Sequence, residues 1–181
     1  MSEVTLRVRQ LGLGKPLKVR ASIDQTEQVS HLAKLMNDMN LRSNQRQIEA
    51  LEDVDQKRID DLNSELAATD DEDEKQQINK EIKIAELKHE NKEFERSNDE
   101  LDDQSKFFKE SLELIKKILG LTKEQSEKLD KNKPNVYTLG NYIGYLQVRL
   151  VQGLSDEDVD KAIKETKLKE KAKNGGTDPK K

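Results

Sequence analysis

The sequence predicts an α-rich α+β protein. An N-terminal β-hairpin joins a helical body, and a long helical hairpin, an antiparallel coiled-coil-like arm, is inserted within that body. Three observations carry this reading. Apolar residues alternate with period two only near the N-terminus. They concentrate between Phe107 and Leu154, a stretch with 20 apolar residues in 48 and five of the six aromatics. Between these regions, residues 43–106 hold 16 apolar residues in 64 and no Pro or Gly. The implied divisions are 1–42 (hairpin and first helix), 43–106 (acidic arm), 107–166 (C-terminal helical body) and 167–181 (a disordered Lys-rich tail).

The N-terminus opens with Val4, Leu6 and Val8 alternating with Thr5, Arg7 and Arg9, the pattern of a half-buried strand. Gly12, Gly14 and Pro16 mark a turn. Leu17, Val19, Ala21 and Ile23 then alternate again, which predicts the second strand of a hairpin. Two strands are marginal alone and need a helix to pack on. That helix is predicted to start at Asp24, with Glu27 completing a capping box. Val29, Leu32, Leu35, Met36 and Met39 supply its apolar stripe.

From Leu41 the composition changes to strong helix formers with few apolar residues. One stripe runs through Ile48, Leu51, Asp55, Leu62 and Leu66, helped by Val54 and Ile59. A second runs through Ile78, Ile82, Ala85, Leu87 and Phe94. Between them, Thr69 and Glu72 predict a new capping box, so the tip falls near Ala67 to Asp71. Two limbs of about 25 residues would project roughly 35–40 Å. One continuous helix of about 60 residues is the rival arrangement.

Past the arm, Phe107, Phe108, Leu112, Ile115, Ile118 and Leu119 predict an amphipathic helix closed by Gly120. Thr122 and Gln125 start a short helix. After the loop Lys131–Asn135, Thr138 is predicted to cap a helix carrying Leu139, Tyr142, Ile143, Leu146, Leu150 and Val151, which ends at Gly153. Ser155 and Asp158 open the last helix, with Val159, Ala162 and Ile163 on one face.

Charge and composition exclude several classes of function. Residues 43–106 carry 21 acids and 10 bases, a balance of −11, against +7 for the remainder. Such a middle is a solvated helical face and a poor ligand for phosphate, so no nucleic acid is expected. No stretch of about 18 apolar residues exists, so no membrane span is expected, and MSEVTLRVRQ lacks the apolar core of a signal peptide. There is no Cys. His31 and His89 lie in unrelated segments, which leaves no metal set and no nucleophile–base pair. The acidic runs do not fit a calcium loop, which requires Gly where none stands. Gly12-Leu13-Gly14-Lys15 lacks the spacing of a phosphate loop. No catalytic, cofactor-binding or metal-binding residue is assigned, and an enzyme is not expected.

Binding is the work left. Tyr142, Tyr145, Arg149 and Gln152 form the candidate partner-binding set, because Tyr and Arg are enriched where proteins meet. Core packing is the plainer role for the tyrosines, since Tyr142 shares the apolar face of Leu139 and Leu146.

The order of segments resembles the tail assembly chaperones of long-tailed bacteriophages, of the type found in phages of Gram-positive hosts. The passages that carry the resemblance are SLELIKKILGLTKEQ (Ser111–Gln125), YTLGNYI (Tyr137–Ile143) and VQGLS (Val151–Ser155). It covers Val4 to Asn40 and Phe107 to Ala162, and the acidic arm stands outside it. The resemblance implies a non-enzymatic chaperone that binds the tape measure protein and recruits the major tail protein. It also implies residence in the bacterial host cytoplasm and absence from the mature virion. Many such chaperones have a longer frameshifted form, and the Pro179-Lys180-Lys181 ending is compatible with a slippery codon run. The alternative is a structural coiled-coil scaffold or adaptor, a homo-oligomer that dimerises through residues 43–106.

Overall fold

The computed structural model describes residues 3–174. The protein is mostly helical, with one small antiparallel sheet at the N-terminus. In chain order the elements are β1 (Glu3–Leu6), β2 (Leu17–Arg20), α1 (Ile23–Leu51), α2 (Val54–Ala68), α3 (Glu72–Leu119), α4 (Lys123–Asn132), α5 (Val136–Leu146) and α6 (Asp156–Asn174). The chain divides into two compact units. One comprises the N-terminal residues through Met36 together with the residues from Phe108 onward, and the other is Asn37–Phe107.

In the first unit, β1 and β2 pair with Val4 opposite Val19 and Leu6 opposite Leu17. Both strands are shorter than the alternation predicts. Val8 leaves the strand to fill the core with Leu11 and Leu13. A 3₁₀ turn at Arg9–Leu11 and a left-handed Gly12 (φ 76°) direct it there, so the connection is a packed loop, not a tight turn. β2 stops at Arg20 because Ser22 begins a helix. Its hydroxyl accepts from Gln25 N at 3.3 Å, and Gln25 Oε1 accepts from Ser22 N at 3.2 Å. This capping box replaces the expected Asp24–Glu27 pair, and Ile23 is 78% exposed instead of continuing a strand.

Val29 and Leu32 of α1 are fully buried, as are Ile115 and Ile118 of α3 and Leu139, Tyr142, Ile143 and Leu146 of α5. Gln25 Nε2 also donates to the Ile118 carbonyl at 3.2 Å. α3 closes on Gly120 (φ 58°), where Gly120 N and Leu121 N bond back to the carbonyls of Lys117 and Lys116. α4 opens on the Thr122–Gln125 capping box. α5 opens on Asn135, whose side chain accepts from Thr138 N at 2.8 Å, so Thr138 is inside the helix and does not cap it.

α5 does not continue to Val151. At Gln147 it widens into one π-helical turn, Gln147–Val151, in which Gln152 N bonds to Gln147 O. Gly153 (φ 71°) ends it, and Ser155 with Asp158 caps α6. α6 runs to Asn174, so residues 167–174 are helical where a disordered tail is expected. The rest of that expectation lies outside the described residues.

In the second unit the chain reverses between Ala68 and Glu72. Asp71, not Thr69, caps α3, accepting from Asp73 N and Glu74 N at 2.9 and 3.3 Å. α2 and the start of α3 pack through Leu62, Ile78 and Ile82, with Leu66 beside them. Farther from the turn the contacts are ionic. Arg58 meets Glu81 at 3.1 Å, Lys92 pairs with Asp55, and Arg42 and Arg46 reach Asp103 at 2.6 and 2.7 Å. The first limb is itself interrupted at Glu52–Asp53, which separates α1 from α2.

The two predicted stripes are therefore only partly seams. Leu62, Ile78, Ile82 and Ala85 are buried, whereas Ile48, Leu51, Val54, Leu87 and Phe94 are exposed. The helix break shifts the phase of the first stripe. In the second, Leu87 and Phe94 stand on a different face from Ile78 and Ile82.

Candidate functional site

The candidate partner-binding residues sit on α5, the π-turn and the segment leading to α6. Tyr142 is fully buried, and its ring centroid is 5.7 Å from that of Tyr145. Its face of α5 packs the core, so its ring is not offered to a partner. Burial pushes its hydroxyl pKa upward.

Tyr145 is half-buried and fully engaged. Its hydroxyl accepts from Arg7 N at 2.9 Å and donates to Asp156 Oδ1 at 2.8 Å. Burial raises its pKa, with the Asp156 contact adding to the rise and the Arg7 N–H opposing it. Arg149 extends the same network. Its guanidinium donates to Thr5 O at 3.1 Å and to Leu154 O, and it lies 3.0 Å from Asp156. Arg7 pairs with Asp156 at 3.2 Å and with Asp160 at 2.7 Å. Its hydrogen bond holds the Asp160 carboxyl below the usual carboxylate range.

These groups tie β1 to the π-turn and to the first turn of α6. Arg149 makes its contacts to Thr5 and Asp156 from within the π-turn. Sequence reasoning found Tyr145 and Arg149 but not Arg7, Asp156 or Asp160. No spacing rule connects residues about 150 positions apart, and opposite charge is the one signal the sequence offers.

Gln152 differs from the other three. It is exposed on the wall of an open cleft of about 550 Å³, lined also by Glu3, Thr5, Arg149, Val151 and Ser155. Val151 (46% exposed) and Leu154 (39% exposed) present apolar surface in the same segment. A shallower groove of about 340 Å³ lies between α1 and α3 and is lined by His31, Lys109, Glu110, Glu113 and Leu114. Among the described residues no cluster of three or more His, Asp or Glu could hold a metal ion, and no helix is long and apolar enough to cross a membrane.

A family model described as phage tail assembly chaperone proteins (TAC) matches residues 74–167, which is 94 of the 181 residues. The chain belongs to this family, and its role lies in phage tail assembly. The match takes in α3, α4, α5, the π-turn and most of α6. It therefore includes the second limb of the arm, which the sequence-level resemblance leaves out, and it does not include Val4 to Asn40. No curated protein and no solved structure matched the chain.

Proposed function

We propose that this protein is a non-enzymatic chaperone that binds the tape measure protein of a phage tail. It keeps that partner soluble in the host cytoplasm, brings the major tail protein to it, and is absent from the mature virion. The observation that carries the reading is family membership across residues 74–167. Two physical features support it. The cleft beside β1 is edged by Gln152 and Val151, and Leu154 adds exposed apolar surface in the same segment, which together offer an apolar helix a place to dock. The −11 balance of residues 43–106 keeps a complex with an apolar partner dispersed.

Tyr145 and Arg149 enter this reading as the struts of the cleft wall. Co-expression with the tape measure protein tests the function. The expected result is a tape measure protein that stays soluble and co-purifies with the chaperone. A double Val151→Asp, Leu154→Asp variant should reduce co-purification at least about tenfold while its melting curve stays within a few degrees of wild type. A tape measure protein that precipitates equally with and without the chaperone defeats the proposal.

A further inference from the structure

The exposed face of α3 within the second unit is more apolar than the middle of its packed face. Its packed side descends from Ile78, Ile82 and Ala85 to His89, Arg96 and Asp103. On the other side, Ile84 is 54% exposed, Leu87 48%, Phe94 69% and Leu101 61%. At 3.6 residues per turn, Ile84 and Leu87 stand about 200° and 140° around the helix from Ile82. The outward stripe therefore faces away from α2.

That stripe has a seven-residue period. Leu87, Phe94 and Leu101 repeat at one position, and Ile84, Asn91 and Asn98 repeat at the position three residues earlier. Asn91 and Asn98 are exposed. We propose that this stripe is a self-association seam through which two copies of the chain pair in parallel and in register.

The asparagines select the occupant. Placed against an apolar helix, each would bury an amide without a partner, which is costly. In a parallel pair of identical helices each asparagine meets its own counterpart, an arrangement that fixes orientation and register. The flanking charges set the strength. In that register Lys83 falls near Lys88 and Glu90 near Glu95 of the second copy, so both flank pairs repel. The seam is therefore weak at low ionic strength and tightens when salt screens the flanks. It does not depend on the tape measure reading, and a failed co-purification would leave it standing.

Sedimentation of the full chain over a range of concentrations tests it. The expected behaviour is a monomer–dimer equilibrium that shifts toward dimer with added salt. Phe94→Glu should raise the dissociation constant about 30-fold with an unchanged melt, because this side chain is exposed in the single chain. The protein has no native Cys, so Leu87→Cys, Phe94→Cys and Leu101→Cys each report on one layer. All three should form like-to-like disulfides on oxidation. A wild type that stays monomeric at every concentration and salt overturns the seam. So does a Phe94→Glu variant that dimerises normally, and cross-linking at Phe94→Cys alone would overturn the parallel register.

Discussion

Asp53 is a residue on which several parts of the arm converge. It is buried, and its carboxylate accepts from Asp55 N at 2.9 Å and Gln56 N at 3.4 Å, capping α2. It also meets Arg96 at 2.8 Å and stands 3.3 Å from His89 Nδ1. Burial alone would push its pKa up. The Arg96 hydrogen bond and the two backbone N–H groups overcome that and bring it from 3.8 down to about 2. A carboxyl depressed in the folded state stabilises the fold above its unfolded value. This contribution is lost as pH falls from 3.8 through about 2. Asp53→Ala should cost about 1 kcal/mol through the lost cap alone, with more from an unpaired Arg96. Circular dichroism against pH should show the wild-type arm losing helix more steeply in that acid window than the variant does. Parallel acid curves would refute the assignment. The sequence does not advertise this residue. The helix break beside it has no Gly or Pro, and Asp53 is one acid among 21 in the arm.

At the scale of elements, the helices were legible and their starts were less so. Thr122 with Gln125 and Ser155 with Asp158 cap where the sequence places them. Three other starts moved by two or three residues, to Ser22, Asp71 and Asn135. Each lies in a run offering several Ser, Thr, Asp or Asn residues. The choice among them is made by which turn must bury its apolar side chains, and that is settled in tertiary structure. The glycines separate two kinds of constraint. Gly120 needs only its positive φ, and a methyl group there meets open space, whereas at Gly12 a methyl group would lie 2.5 Å from the Asn132 side chain. Gly120→Ala should cost about 1 kcal/mol from the left-handed backbone. Gly12→Ala should cost clearly more, because Asn132 must move as well. Thermal melts of the two variants check the order, and equal losses would show that the Asn132 contact carries no weight.

At the scale of the molecule, the sequence exposed the helical majority, the small sheet and the family. It could not show which apolar residues of the arm face inward. Leu87 and Phe94 have the same composition and local periodicity as true seam residues. Only the position of the opposing limb, broken at Asp53, sorts them outward. Nor could it show that three of the four candidate contact residues are held in internal packing or hydrogen bonding. The two-unit division makes a further prediction. With Asn37–Phe107 replaced by a short Gly/Ser link, the remaining unit should still melt cooperatively, since its buried residues on α1, α3 and α5 lie on its own segments. Loss of the cooperative transition would mean that the arm is required for that unit's fold.

The tie between Arg7 and Asp160 spans 153 residues of chain. Its consequence concerns the order of synthesis. Asn37–Phe107 has all of its own contacts once Phe107 clears the ribosome, whereas the β1–β2 pair must wait for α6 before Arg7 can reach Asp160. At bacterial elongation rates of roughly 5–20 residues per second, the delay between the two is on the order of several seconds. During that interval the N-terminal strands have emerged without the residues that later anchor them. The closing of the N-terminal strands against α6 is therefore among the last contacts that the growing chain makes.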